Sequence, residues 1–476
     1  MDDGVALTNV AWTDATDDVA LTLDRLVEWL RSLGPVEVMG GEAVGAVRDV
    51  VTDSRALQRG DVFVALRGDR FDGHDYVAQG FEAGAIAAVV DTPVDTPIEG
   101  ASGVQLVVKD TLAAYQAIAR GWRRQFGIPI VAITGSVGKT STKETISAVL
   151  GTAGTVHKTF ANFNNEIGVP KTLLAMEPRH DFAVVEMAMR GPGQIAELAL
   201  TAEPTIAVIT NVGTAHIGLL GSEQAIADAK CELLAELRPD GVAVLNADDE
   251  RLMATAAKVW SGRTVTYGLT AGEVRGELVG LDQLVVDGVT VPLPLPGAHN
   301  GRNFLAAIAV ARILGLDEAP LAAGIDIQMP EGRATQHQLP GDIVLLDETY
   351  NAGLESMTAA LHLLAKTPGK RHLALLGTMG ELGDRAPEFH RRIGQLAAEL
   401  KLDHLYVLIN DSTAEAIVTG VAQSPTPIPC TPFATHGEAI AALQPALRAG
   451  DRLLLKASHS IGLDKVVKGL IEAYES

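Results

Sequence analysis

The most evident chemistry in this chain lies in one short run, Ile130-Val-Ala-Ile-Thr134-Gly135-Ser136-Val137-Gly138-Lys139-Thr140. An apolar strand-like stretch enters a glycine turn and leaves it as a helix. Glycines let backbone amides close around phosphate oxygens, and the helix N-terminus adds a favourable dipole. Thr134 to Gly138 would form the cradle, Lys139 would place a cation on the outer phosphates, and the Thr140 hydroxyl would ligate Mg²⁺. The longer form of this motif carries a glycine six positions before the lysine. Ile133 stands there, so the chain has the shorter Gly-x-x-Gly-Lys-Thr. An ordinary glycine turn is the plain alternative, and the strand–helix context argues for a nucleotide.

Three further groups fall at or beyond the ends of later apolar runs. Glu186 closes Phe182-Ala-Val-Val-Glu186, His216 ends Asn211-Val-Gly-Thr-Ala-His216, and Lys230 lies in Ala227-Asp-Ala-Lys230-Cys-Glu. In open α/β sheets ligands bind beyond the carboxyl ends of the strands, so these residues can converge on the phosphate loop. A carboxylate and an imidazole there suit a Mg·ATP site. Taken singly, each has a bland alternative: a hydrogen-bonding histidine, or a lysine on a helix surface.

The elements that must hold these groups can be read from periodicity. Leu23, Leu26, Val27, Leu30 and Leu33 recur at helical spacing before Gly34. Asp61–Leu66 and Gly84–Val90 read as buried strands, and Asp91–Gly103 as a loop. A first domain then ends near residue 126. From there apolar runs alternate with helical segments: Pro129–Thr134, Phe182–Glu186, Thr205–Thr210 and Val242–Leu245. That pattern predicts a parallel sheet covered on both faces. A third block begins near Met329, with β-runs Ile343–Leu346, His372–Leu376, Leu405–Ile409 and Arg452–Lys456 and a final helix Ile461–Tyr474. Ser424–Pro432 carries four prolines and reads as a rigid surface loop. The fold expected is α/β in three domains, residues 21–126, 127–328 and 329–476, after a solvated extension of residues 1–20.

The totals set outer limits. The chain has 476 residues, enough for about three domains at roughly 150 residues each. Its two cysteines, Cys231 and Cys430, exclude a disulfide scaffold and fit a reducing cytoplasm. With 38 Lys+Arg against 59 Asp+Glu the net charge is −21. No general attraction for nucleic acid or anionic membrane follows, so any phosphate must be held locally. Met1–Ala20 has five aspartates and no Lys or Arg, unlike a signal peptide. No apolar run reaches the roughly 18–20 residues of a membrane span.

Taken in order, the motifs resemble the Mur ligase family, which also includes folylpolyglutamate synthase. They are Asp53-Ser54-Arg55, Gly60–Leu66, Asp72-Gly73-His74-Asp-Tyr76, the short phosphate loop, Asn162-Phe-Asn164-Asn165-Glu-Ile-Gly168, Glu186, Asn211–His216, Lys230, Gly297-Ala-His299-Asn300 with Asn303, Gly332-Arg333, and Asp347-Glu348-Thr-Tyr350-Asn351. Within the family the Asp-Gly-His-Asp-Tyr run, Asn164-Asn165 before Ile-Gly-Val-Pro, Met379-Gly-Glu-Leu-Gly383 with His390, and Ser356 resemble the member that adds D-alanyl-D-alanine to a UDP-muramoyl tripeptide. The Asp-Asn-Pro-Arg run of the diaminopimelate-adding member is absent. The chain departs from the family at Gly353-Leu354, where Asn-Pro is usual; at Glu348, where a second aspartate is usual; and at Lys456-Ala-Ser-His459, where Lys-Gly-Ser-Arg is usual.

The resemblance implies a first domain for the UDP-sugar substrate, a central domain for ATP, and a third, Rossmann-like domain that closes over the site. It implies a cell-wall-precursor ligase acting through an acyl phosphate, with ATP and Mg²⁺, as a cytoplasmic monomer. Thr140, Glu186, His216 and Lys230 would serve the metals, Lys230 as a carbamate. Lys139, His216, Lys230 and Asn165 would be catalytic. His299, Asn300, Asn303, Arg333 and one of Asp347 and Glu348 would meet the nucleotide. Ser54, Arg55, Asp72, Gly73, His74, Asn162, Asn164, Asn165, Tyr350 and Asn351 would meet the substrates. A sister ligase adding diaminopimelate, lysine or glutamate is the nearest alternative. A nucleotide-driven switch without ligase activity is a further one, although it would need neither His216 nor Lys230.

Overall fold

The structure is a computed structural model that describes residues 20–42, 44–95 and 103–475. Apart from Ala20, the N-terminal extension lies outside the described residues, as does part of the Asp91–Gly103 loop. Three sheets divide the chain. The first has five strands in the order Glu37–Met39, Val104–Val107, Ala87–Val90, Val62–Val64, Val50–Val51, parallel except for the first pair. Helix Leu23–Arg31 seals it with Leu23, Leu26, Val27 and Leu30 of the expected apolar stripe; Leu33 lies beyond the helix end and is exposed. Helix Thr111–Arg123 joins this domain to the next. Its Trp122 indole donates to the Met176 carbonyl (3.2 Å) and its Arg123 guanidinium to the carbonyls of Ala202 and Glu203 (2.9 and 3.0 Å).

The central sheet has nine strands. Seven run parallel, the last of them Val274–Val279, and Gln283–Val286 and Val289–Pro292 continue that edge as antiparallel hairpins that periodicity did not predict. Alternation along its strands confirms the two covered faces. Ala132, Val185 and Ile209 point into one apolar layer, while Val131, Ile133, Val184 and Val208 point into the other beside helices Lys139–Leu150 and Ala298–Ile313. Strands Phe182–Glu186 and Ile206–Ile209 flank Ile130–Thr134 on its two sides. The strand order therefore reverses beside the phosphate loop, the place where an open α/β sheet leaves a crevice.

The third sheet has six strands in the order Thr335–Leu339, Ile343–Asp347, Asp451–Lys456, Arg371–Leu376, His404–Leu408, Cys430–Phe433, with only the first antiparallel. Two expectations are corrected here. The proline-rich segment is not all loop: Cys430–Phe433 is a parallel edge strand, and an edge tolerates Pro432 because one side of the strand needs no ladder donor. The last helix is Asp464–Glu475, because Gly462 turns left-handed (φ 71°) and separates it from the short 3-10 turn His459–Ile461.

Candidate active site

Gly135 (φ 155°) and Gly138 (φ 83°) shape the phosphate loop, and Gly138 caps helix Lys139–Leu150. Neighbouring side chains lock it from outside. The Thr210 hydroxyl and the Asn211 amide both donate to the Val137 carbonyl (2.7 and 2.9 Å), and the Val137 amide donates to Asn211 Oδ1 (3.1 Å). The Gly213 amide donates to Ser136 Oγ at 2.8 Å. A Cβ on Gly135 would lie 1.9 Å from Thr210 Oγ1, inside van der Waals contact. Gly135→Ala is therefore expected to push the loop off Thr210 and to abolish binding of a fluorescent ATP analogue, with the melting transition kept. Analogue binding of wild-type strength would show that the loop does not hold the nucleotide.

Lys139 Nζ donates to the Gly135 carbonyl (2.8 Å). Burial pushes its pKa down, the Glu186 carboxylate opposes that, and Arg333 of the third domain pushes it further down. Glu186 is buried at the end of its strand. The Asn164 amide donates to its Oε1 (2.8 Å), while Oε2 is buried with no hydrogen-bond partner among the described residues. A carboxylate oxygen in that condition is costly unless something positive meets it. Thr140 is also buried and lines the same cleft.

Lys230 is 1 % exposed on helix Glu223–Ala235, and no carboxylate pairs with it among the described residues. Burial, and then the charge of Lys139, hold its pKa well below the ordinary lysine value. The neighbouring Cys231 thiol is pushed up to about 12 by burial, which makes it an inert core group. His216 starts the turn Ile217–Leu220 with a left-handed backbone (φ 64°). Burial lowers its pKa, Glu381 opposes this, and Lys139 and Lys230 add to it.

A cleft of about 1360 Å³ joins these groups to the third domain. Thr140, Glu186 and His216 line it, as do Asn162, Asn164, Asn165, Asn300, Asn303, Arg333, Glu348, Tyr350 and Asn351. Arg333 stacks on the Tyr350 ring (3.9 Å to the centroid), and the His459 ring lies on Tyr350 as well (5.5 Å). Lys456 is buried and donates to the Asn351 carbonyl (2.9 Å), with Glu348 3.4 Å away.

Three segments match family descriptions: residues 47–123 the "Mur ligase family, catalytic domain", residues 133–311 the "Mur ligase middle domain", and residues 332–459 the "Mur ligase, glutamate ligase domain". A UDP-N-acetylmuramoyl-tripeptide–D-alanyl-D-alanine ligase from Synechocystis is 56% identical over 425 residues, covering 89% of this chain and 92% of the relative. The chain belongs to the Mur ligase family. A ligase of the same name from Bacillus subtilis is 35% identical, covering 90% of this chain and 94% of the relative. MurF from Acinetobacter baumannii superposes with TM-score 0.85 at 30% identity, over 96% of this chain and all of the other. MurF from Thermotoga maritima, solved with ADP, superposes at 0.80 with 29% identity, over 90% of this chain and 98% of the other.

In this Mur ligase the residues taken from the sequence divide into two groups. Of those above, Ser136 to Thr140, Glu186, His216, the asparagines and the third-domain residues line one cleft, whereas Lys230 is buried and is not among its lining residues. Asn165 lines the cleft, and its Oδ1 also accepts from the amide of Gly168 (2.9 Å), the first residue of helix Gly168–Leu174. His299 borders it and also an adjoining interdomain cavity of about 650 Å³. Asp347 stands off the cleft, accepting from the amide and hydroxyl of Thr349 (3.1 and 2.7 Å) with His337 on its other oxygen. Glu348 is the carboxylate that faces in. In the first domain Ser54 and Arg55 form an exposed 3-10 turn, and Arg55 holds the Asp53 carboxyl down to about 2. Asp72, Gly73 and His74 build a clamp instead of a cleft wall. His74 Nδ1 meets Asp72 (2.6 Å), the Asp91 amide donates to Nε2 (3.1 Å), and Arg67 bridges both aspartates. Gly73 is obligatory there, since a Cβ would lie 2.8 Å from the Ala65 backbone.

Sequence reasoning assigned no site role to Thr210, Asn211, Glu355 and Glu381, although Asn211 and Glu381 fell inside quoted motifs. The first two carried a signal, polar residues at a strand end beside the phosphate loop. Glu355 carried none, and Glu381 stood inside the Met379–Gly383 motif without an assigned role, because both reach the central domain from the third. The Thr214 amide donates to Glu355 Oε1 (2.7 Å), and the Glu381 carboxylate abuts His216.

Proposed function

We propose that this Mur ligase joins D-alanyl-D-alanine to UDP-N-acetylmuramoyl-tripeptide at the expense of ATP, in peptidoglycan-precursor synthesis. What supports the reading most is the single cleft in which the phosphate loop, an unpartnered carboxylate oxygen and third-domain residues face one another. Residues 21–126 take the UDP-muramoyl end, residues 127–328 the ATP, and residues 329–476 close over both. The tripeptide carboxylate attacks the γ-phosphorus, ADP departs, and the acyl phosphate is attacked by the dipeptide amine with release of phosphate.

Bringing a carboxylate to a polyphosphate is opposed by charge, so the residues that matter are those that neutralise it where it builds up. Lys139 reaches the transferring phosphoryl group, and Arg333 adds a second cation when the third domain closes. Thr140 and Glu186 hold one Mg²⁺, for which the free Glu186 Oε2 is fitted; His216 holds a second, with Lys230 carbamylated in support. Bound Mg²⁺ would screen the phosphate oxygens from the incoming carboxylate. Asn300, Asn303 and Glu348 contact the nucleoside. Asn162 and Asn164 line the approach of the peptide carboxylate, with Asn165 as a catalytic neighbour. Tyr350 and Asn351 receive the dipeptide, while Ser54 and Arg55 meet the UDP-sugar and Asp72, Gly73 and His74 shape that subsite. The same reading makes the protein a cytoplasmic monomer. Among the described residues no helix is long and apolar enough to cross a membrane.

An acceptor panel tests this. With UDP-muramoyl tripeptide and Mg·ATP, phosphate release is expected to be fastest with D-alanyl-D-alanine and to need both substrates. Preference for free diaminopimelate, lysine or D-glutamate would move the chain to a sister activity. Phosphate release that needs neither substrate would make it a nucleotide switch.

A further inference from the structure

Glu381 stands in the third domain, and its carboxylate abuts Nδ1 of His216 in the central one. Three observations show that this meeting is built. His216 and Glu381 both hold left-handed backbones (φ 64° and 59°), a conformation that non-glycine residues adopt at a cost and only where surroundings fix it. The Glu381 carbonyl accepts from the Gly218 amide (3.0 Å), and a Cβ on Gly218 would lie 2.5 Å from the Gly383 amide nitrogen, so only glycine permits this approach. The loop carrying Glu381 is tied behind. The Gly380 amide donates to Ser458 Oγ (2.7 Å), and the Met379 amide to Nε2 of the buried His390 (2.8 Å).

The ring geometry gives the contact its chemical sense. With a carboxylate at Nδ1, the proton belongs on that nitrogen and the Nε2 lone pair is left free. Nε2 has no partner among the described residues, and the ring lines the cleft. The contact is an ion-pair approach that lies off the line of a well-formed hydrogen bond. Metal-binding histidines characteristically give their other N–H to a carboxylate, which fixes the tautomer and raises ligand basicity.

We infer that Glu381 is a positioning residue: it orients His216 for the second metal, and because it comes from another domain, that metal site is complete only when the third domain is closed. The inference rests on the proposed role of His216. It explains why the Met379–Gly383 loop presents a carboxylate to His216, one that the exposed Arg190 also approaches (3.7 Å).

The test counts metals. Mn²⁺ is titrated by electron paramagnetic resonance into the full chain with a non-hydrolysable ATP analogue, for the wild type, Glu381→Gln, Glu381→Ala and His216→Ala. Glu381 is partly exposed, and melting curves are expected to show all variants folded. Glu381→Ala is expected to weaken one of two Mn²⁺ sites by about 10- to 100-fold, with the other site and the analogue's affinity unchanged. Glu381→Gln, which keeps an acceptor oxygen, is expected to lose less. In the His216→Ala background, Glu381→Ala is expected to add nothing, as for two residues acting through one bond. If His216→Ala loses a site and Glu381→Ala does not, the inference falls and the metal role of His216 stands. If His216→Ala loses no site, that role falls and the inference with it.

Discussion

Lys139→Ala is expected to lower turnover by about two to three orders of magnitude, the usual cost of removing one group aimed at charge that develops in the transition state. The fold is expected to survive, because Lys139 lies on the wall of a cleft and its ammonium holds only the loop's own carbonyls. Its surroundings are those of a site made for a polyanion. Burial and the charge of Arg333 both work against the ammonium, and the nearby Glu186 carboxylate is left with an oxygen free. Cations gathered at such a cost are repaid when a phosphate chain lies between them. Phosphate release in single turnover, with ATP affinity measured separately, checks this. The loss should fall mainly on turnover, since the cation is needed most as the phosphoryl group transfers. A folded variant with full turnover would remove Lys139 from the reaction.

What the sequence made legible was local. Gly135 and Gly138 sit where positive φ is required, and the apolar runs that became Ile130–Thr134, Phe182–Glu186 and Ile206–Ile209 are buried on both faces, so their continuous hydrophobicity marked them. Contacts made at long range were not legible. The Asp-Gly-His-Asp-Tyr run resembles a substrate motif, yet His74 is spent on Asp72 and on the Asp91 amide, a partner 17 positions away. Asp347 and Glu348 look equivalent in one dimension. Successive residues of an extended chain face opposite ways, so one carboxylate turns to Thr349 and the other into the cleft. Glu381 and Glu355 act by domain docking, which no periodicity encodes. The hairpins of residues 274–292 were hidden by their length, strands of four to six residues between exposed turns.

Replacing Lys230 by alanine is expected to remove most activity, and replacing it by arginine is expected to do the same. The second result is the decisive one. Lys230 is buried and has no carboxylate paired with it among the described residues, and its pKa is lowered first by burial and then by Lys139. An ammonium there would be uncompensated and would also be repelled by any metal bound nearby. The neutral amine, favoured by the lowered pKa, is the form that adds to CO₂: nitrogen bonds to the carbon, a proton is lost, and a carbamate with one negative charge results. The sign of the group is thereby reversed, and a cation that would repel a metal becomes an anion that supports one. Arginine keeps the positive charge and cannot make this change, so Lys230→Arg should be as inactive as Lys230→Ala. In the alanine variant a short carboxylate such as acetate fits the vacated space and is expected to restore part of the activity, which it cannot do in the arginine variant. Labelling with ¹³C-bicarbonate supplies a readout apart from catalysis: a carbamate resonance is expected in the wild type and in neither variant. A fully active Lys230→Arg enzyme would show that positive charge is all the position requires, and the carbamate would have to be given up.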